Sequence, residues 1–290
     1  MNINYLNFSG TTCFHEGRTP FFTLNIPGKI FRDSQLLNEQ DCYFSGFSTR
    51  IGGVSNGIYE SMNLSFTVGD DEENVRRNFE IIGDAMGIPV HNMVYSKQTH
   101  TTNVMRVTSE HKGMGIYRNR DFDDIDGLIT NEPGVCLVTS YADCVPLFVV
   151  DYRNKAIGLS HSGWRGTVGD IAGVTVGMMK EEFGSNPKDL GVFIGPSICH
   201  NCYEVGDDVA SEFIRRYGMD VFDSILYTKD NGKYKLNLHN ANLRNFINAG
   251  VLEQNIAITD ICTCCNPKLL FSHRASKGKR GGLCGFFMIR

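Results

Sequence analysis

The feature that most restricts how this chain can fold is a pair of apolar segments joined by a short polar turn. Val145-Pro-Leu-Phe-Val-Val150 is an unbroken apolar run, the pattern of a strand buried on both faces. Ala156-Ile-Gly-Leu159 reads as a second strand, with Tyr152-Arg-Asn-Lys155 as the turn between them. Such a hairpin carries Cys144, at the mouth of the first strand, toward His161, at the exit of the second. A cysteine and a histidine meeting there make either part of a metal site or a thiol nucleophile with its base. The single tryptophan, Trp164, follows directly in His161-Ser-Gly-Trp-Arg-Gly166.

The 290 residues can bury a substantial core, and no shift of composition marks an inner boundary, so residues 1–290 are read as a single domain. A formal net charge of -4 leaves no basic excess to attract nucleic acid. A bound phosphate would need a local group of arginines. Met1 to Phe8 has neither the basic start nor the apolar core of a signal peptide. No apolar run approaches the ~20 residues that span a bilayer, so a cytoplasmic protein, monomeric and without membrane contact, is expected. In a reducing compartment disulfides are not expected, and ten cysteines exceed what packing requires.

Along the chain, Phe21 to Ile26 reads as a strand and Pro27-Gly28 as a turn. Tyr43 to Thr49 is a strand that opens into the glycine-rich Arg50-Ile-Gly-Gly-Val-Ser-Asn-Gly57. There backbone amides and Arg50 can meet an anion, unless it is a plain surface loop. Val75, Phe79, Ile82 and Met86 predict an amphipathic helix that Gly87 and Pro89 end. Val94 to His100 predicts a strand ending in a polar cluster, and the acidic Asp121 to Asp126 a turn. Val168, Ile171, Val174 and Met178 predict one helix from Trp164 to Phe183, its N-terminus directly behind His161 to Arg165 and suited to an anion. Further helices are predicted around Val209 to Tyr217 and Leu238 to Ala249, with strands at Leu190, Ile256 and Cys284. The alternation lacks a doubly wound repeat and any phosphate-binding glycine fingerprint. The expected fold is α/β, with a mixed β-sheet between helices.

Three site readings follow. In the first, His100, Cys144 and His161 hold a metal with a fourth position open, the usual form of catalytic zinc. In the second, Cys144 is a nucleophile and His161 its base, oriented by Asp143 or another group. In the third, Cys199, Cys202, Cys262, Cys264 and Cys265 hold a structural zinc. Cys199-His-Asn-Cys202 has a suitable spacer, but Cys262-Thr-Cys-Cys265 completes no familiar pair, so these are read as free thiols. Eight scattered histidines with no His-x-His pair cannot supply a trinuclear copper cluster. The zinc-deaminase signature of His-x-Glu with Pro-Cys-x-x-Cys is also absent.

Several motifs in one order then resemble a known family. They are Ser48-Thr-Arg-Ile-Gly-Gly-Val-Ser55, Lys97-Gln-Thr-His100, Asp126-Gly-Leu-Ile-Thr130, Ala142-Asp-Cys-Val-Pro146, His161-Ser-Gly-Trp-Arg-Gly166 and Phe271-Ser-His-Arg274. Across roughly residues 45–290 the chain is similar to the YfiH/YlmD laccase-domain family, also described as purine nucleoside phosphorylases and, in older naming, polyphenol oxidases. The resemblance implies a YfiH-like α/β fold and His100, Cys144 and His161 as ligands of zinc, or of copper. It implies phosphorolysis of adenosine, inosine and methylthioadenosine, with purine nucleosides and phosphate as partners, and deamination of adenosine. Arg50, Arg165 and the amides behind Trp164 are then candidates to hold phosphate, and Asp143 to act as an acid/base or to orient a ligand. A metal-free cysteine hydrolase or deamidase using Cys144 and His161, and a copper-dependent polyphenol oxidase, are the alternatives. The chain departs from the family at His273, where tyrosine is common, and at Ala275, where a second arginine is.

Overall fold

The computed structural model describes residues 4–6, 20–24, 26, 42–229 and 231–290. The expected turn at Pro27-Gly28 and most of Met1 to Phe8 lie outside them. The first strands are β1 (Asn4–Leu6), β2 (Phe21–Thr23), β3 (Tyr43–Ser48), β4 (Met93–Tyr95) and β5 (Val104–Arg106). Next come β6 (Gly127–Thr130), β7 (Cys136–Tyr141), β8 (Val145–Asp151), β9 (Ala156–Ser162) and β10 (Gly191–Ile194). The last are β11 (Glu204–Val205), β12 (Leu226–Thr228), β13 (Tyr234–Leu236), β14 (Ile256–Thr259) and β15 (Leu283–Ile289). The α-helices are α1 (Glu72–Met86), α2 (Trp164–Val168), α3 (Ile171–Phe183), α4 (Asp207–Tyr217) and α5 (Leu238–Asn248).

The β8–β9 hairpin is the centre of a mixed seven-stranded sheet of order β1-β14-β10-β8-β9-β6-β5. Its continuous apolar sequence has a direct cause, because both faces are covered. Val145, Leu147 and Val149 point into a core made with Ile171 and Met179 of α3, Phe213 of α4 and Phe246 of α5. Phe148, Val150 and Leu159 point the other way, into a core shared with a second sheet of order β2-β3-β15-β7-β4. The rings of Phe148 and Phe287 meet there edge-on at 5.5 Å. Each such fully buried side chain stabilises the fold by about 1.5–3 kcal/mol. The outer face of the second sheet is closed by α1 through Val75, Phe79, Ile82 and Met86. Asp71 caps that helix by accepting from the Glu73 N–H, and Gly87 ends it at φ 66°.

The expected α/β class holds, with one refinement. Two mixed sheets, packed face to face, lie between the helices, since the second face of β8 and β9 needs a partner as apolar as the first. β9 runs on to Ser162, so His161 sits inside the strand opposite Pro146. The single helix predicted from Trp164 to Phe183 is two. The chain breaks at Gly169-Asp170, where Asp170 takes φ 67° and its carboxylate caps α3 at the Gly173 N–H. Restarting there changes the helical phase, so Val174 is exposed while Thr175 and Met179 pack onto Gly158 of β9. Among the described residues no helix is long and apolar enough to cross a membrane.

Candidate active site

The hairpin brings Cys144 and His161 together as its sequence predicts, and a loop after β4 adds His100. The ligating atoms of His100, Cys144 and His161 lie within 4.8 Å of one another. The two imidazoles stand edge to face with centroids 4.9 Å apart. The strand predicted to reach His100 stops at Tyr95. The loop is pinned instead by Gln98, whose amide exchanges hydrogen bonds with the backbone of Ser140 on β7 at 2.8 and 2.7 Å. His100 itself takes a left-handed φ of 67°. Gly163 keeps the cluster clear: a Cβ there would lie 3.0 Å from His100 Cδ2 and 3.1 Å from Cys144 Sγ.

A residue that the sequence places only in a turn organises this cluster. The carboxylate of Asp126, fully buried just before β6, accepts from His161 Nδ1 at 2.8 Å. It also accepts the backbone N–H groups of Thr99, His100 and Thr101 at 3.0, 3.1 and 2.9 Å. One side chain thus orients His161 and folds the loop that presents His100. With Nδ1 donating to Asp126, Nε2 of His161 is the nitrogen that a metal ion would take, displacing the proton it carries. The available signal was position: Asp126 heads one of the family motifs and directly precedes a strand.

Electrostatics favour a charged pair. Burial alone would raise the Cys144 thiol, but the His161 charge and hydrogen bonds from both imidazoles outweigh it and lower it to about 6. Burial alone would lower His161, but the Cys144 thiolate and the bond to Asp126 raise it to about 9. Burial would likewise raise Asp126, and the His161 bond and charge hold it below the usual carboxylate range. A thiolate and a fixed imidazole nitrogen are good soft and intermediate ligands for zinc or copper.

The cluster forms part of the floor of a pocket of about 530 Å³ lined also by Phe66, Trp164 and Tyr203. Arg165 lines it, with its guanidinium over the Trp164 ring at 4.3 Å. Arg50 does not. Its guanidinium donates to the Pro267 carbonyl at 2.9 Å and lies over Phe271 at 4.4 Å, at a separate surface cleft. The pocket draws its other cations from Lys97, which pairs with Asp123, and from Arg120, Arg274 and Arg280, which sequence reasoning gave no role. Burial lowers the Arg280 guanidinium, and its buried Nε has no hydrogen-bond partner. Asp143 does not reach His161 as an orienting group. Its two carboxylate oxygens accept from Thr263 Oγ1 and from the Arg274 N–H, both at 2.7 Å, which fixes the backbone at φ 89° beside Cys144. The predicted helix N-terminus behind Trp164 belongs to the five-residue α2 and offers no extended dipole.

Comparison with known proteins now decides the family. Residues 44–290 match the family described as multi-copper polyphenol oxidoreductase laccase. The chain belongs to this laccase-domain family. Over 272 residues it is 35% identical to purine nucleoside phosphorylase YlmD of Bacillus subtilis (strain 168), covering 93% of this chain and 97% of that one. It is 32% identical over 230 residues to adenosine deaminase RL5 of an unknown prokaryotic organism, covering 79% and 87%. The crystal structure of Bacillus licheniformis hypothetical protein YfiH matches with a TM-score of 0.83 at 33% identity, covering 88% of this chain and 95% of that one. Among the described residues the candidate metal groups are His100/Cys144/His161 and a group of four cysteines.

Proposed function

We propose that this chain is a metal-dependent purine nucleoside enzyme that carries out phosphorolysis of adenosine, inosine and methylthioadenosine and also deaminates adenosine. The observation that carries the reading is the convergence of His100, Cys144 and His161 in a pocket bordered by arginines. Relatives named as a purine nucleoside phosphorylase and an adenosine deaminase support the substrate class. Two imidazoles and a thiolate fit zinc, with copper as the alternative ion. His100, Cys144 and His161 would hold the ion, which would supply Lewis acidity to the reacting group or to an attacking water.

The remaining work falls to the chain's own groups. In phosphorolysis a phosphate oxygen bonds to the anomeric carbon, and the purine leaves with the electron pair of the broken C–N bond and takes up a proton. Arg165 and Arg280, whose buried Nε has no hydrogen-bond partner, are the candidates to hold the phosphate dianion, while Arg120 is committed to the Tyr95 and Ser96 carbonyls. Phe66, Trp164 and Tyr203 offer rings against which a purine can stack. Asp126 fixes the His161 tautomer, and Asp143, tied to Thr263 and Arg274, positions Cys144 and transfers no proton. In deamination a water oxygen adds at C6 of adenine and ammonia departs.

Zinc-loaded protein should release free base and ribose 1-phosphate from inosine only when phosphate is present, and ammonia from adenosine without it. Neither product appearing would remove the purine reading. A metal-free cysteine hydrolase is the second reading, favoured by the lowered thiol of Cys144 beside a raised His161. In that case His100 has no task, and His100→Ala would keep full turnover.

A further inference from the structure

We infer that Cys199, Cys202, Cys262 and Cys265 form a second metal site, a closed tetrathiolate centre for zinc that braces one wall of the pocket. Their sulfur atoms all lie within 4.8 Å of one another, and none is disulfide-bonded. Cys202 Sγ and Cys265 Sγ are 3.4 Å apart. Tetrahedral zinc with bonds of about 2.3 Å sets its sulfurs about 3.8 Å apart. Closing the four cysteines onto an ion therefore takes small side-chain adjustments and no rebuilding of the backbone.

The backbone already donates to one of these sulfurs. Both pairs have two intervening residues, as Cys199-His-Asn-Cys202 and Cys262-Thr-Cys-Cys265. In the first, the Cys202 N–H turns back to the Cys199 carbonyl at 3.0 Å. In the second, the Cys265 N–H donates to Cys262 Sγ at 3.4 Å, and the Cys199 N–H donates to the same sulfur at 3.2 Å. Amides aimed at sulfur would support the thiolates of a bound ion. Two cations attach to the first turn, Lys235 Nζ at the Asn201 carbonyl and Arg274 at the Cys202 carbonyl, at 2.7 and 3.3 Å. They offset the net negative charge of a zinc ion with four thiolates. Uptake of the ion releases the thiol protons to solvent and needs no oxidant. Cys264, standing inside the second pair, is what disguises the Cys-x-x-Cys spacing in the sequence.

Four protein sulfurs leave no open position, so the site is structural. What it would hold follows from its neighbours. Ser197 and Cys262 pair as a parallel bridge between the two loops. From these loops the Ile198 N–H binds the Asp143 carbonyl at 3.0 Å, the Thr263 hydroxyl binds the Asp143 carboxylate, and Tyr203 lines the pocket. One ion would cross-link two segments far apart in sequence that together grip the residue beside Cys144.

The test is cobalt(II) and zinc loading of reduced full-length protein carrying His100→Ala and His161→Ala, which disables the first cluster. It should still bind one equivalent and show the thiolate-to-cobalt absorption of a tetrathiolate site. Adding Cys202→Ser and Cys265→Ser should abolish both, whereas adding Cys264→Ser should change neither. In the protein with its histidines intact, metal should protect these four thiols from a disulfide reagent. Loss of all cobalt absorption in the histidine variant would overturn the site. So would two disulfides among these cysteines in protein isolated under reducing conditions.

Discussion

The two clusters differ in donors, closure and surroundings. The first joins a thiol and an imidazole of a rigid hairpin to a second imidazole from the loop after β4, and faces a pocket; the second gathers four thiols from two turns. Donors that stop at three leave an ion available to substrate, whereas four sulfurs close the coordination sphere. The first cluster also has a dedicated orienting carboxylate, Asp126, while the second is ordered by backbone N–H groups aimed at sulfur. Chemistry is expected at one and mechanical support at the other, although they lie on either side of the same residue, Asp143.

The sharpest division between them is a pair of variants. Cys144→Ala should abolish nucleoside turnover while the tetrathiolate centre keeps its metal. Cys202→Ser with Cys265→Ser should keep the first cluster's metal and lose zinc-dependent thermal stability, about 3 kcal/mol at free zinc a hundredfold above its Kd. Metal analysis and melting of both proteins check this, and turnover lost equally in the two would merge the roles.

Asp126→Asn comes next. It should lower metal affinity or turnover by about 10–100-fold and disturb the Thr99–Thr101 loop, while leaving thiol protection at the cysteine turns unchanged. Removing one charged contact to phosphate costs about 1.5–3 kcal/mol. Arg280→Gln should therefore raise the phosphate KM by about tenfold or more, whereas Arg50→Gln should leave it unmoved because Arg50 is committed to Pro267 and Phe271. The smallest effect is in pH. In metal-free protein the Cys144 thiolate should persist down to about 6. Its alkylation rate should then plateau above that pH and fall about tenfold per unit below it, with metal suppressing the reaction throughout.

Much of this was legible along the chain. Apolar continuity announced Val145 to Val150 of β8 and Ala156 to Leu159 of β9, since the stretch of a strand covered on both faces is predominantly apolar. The same hairpin logic joined Cys144 to His161, because residues at facing ends of adjacent strands must be neighbours. His100 was legible less directly, through its motif. Arg50 misled, because glycine and arginine in one loop describe a capacity to bind anions and say nothing of where the loop points. Helix periodicity from Trp164 onward hid the break at Asp170, which is set by a left-handed residue and its cap.

The sequence by itself determined the α/β class, the double burial of the central hairpin and the meeting of its cysteine and histidine, all consequences of local pattern and strand adjacency. Only the tertiary structure decided which carboxylate holds His161, which arginines border the pocket, and that two Cys-x-x-Cys turns meet. Those contacts join residues separated by tens of positions. No local periodicity encodes a distance between segments that the packing of two sheets brings together.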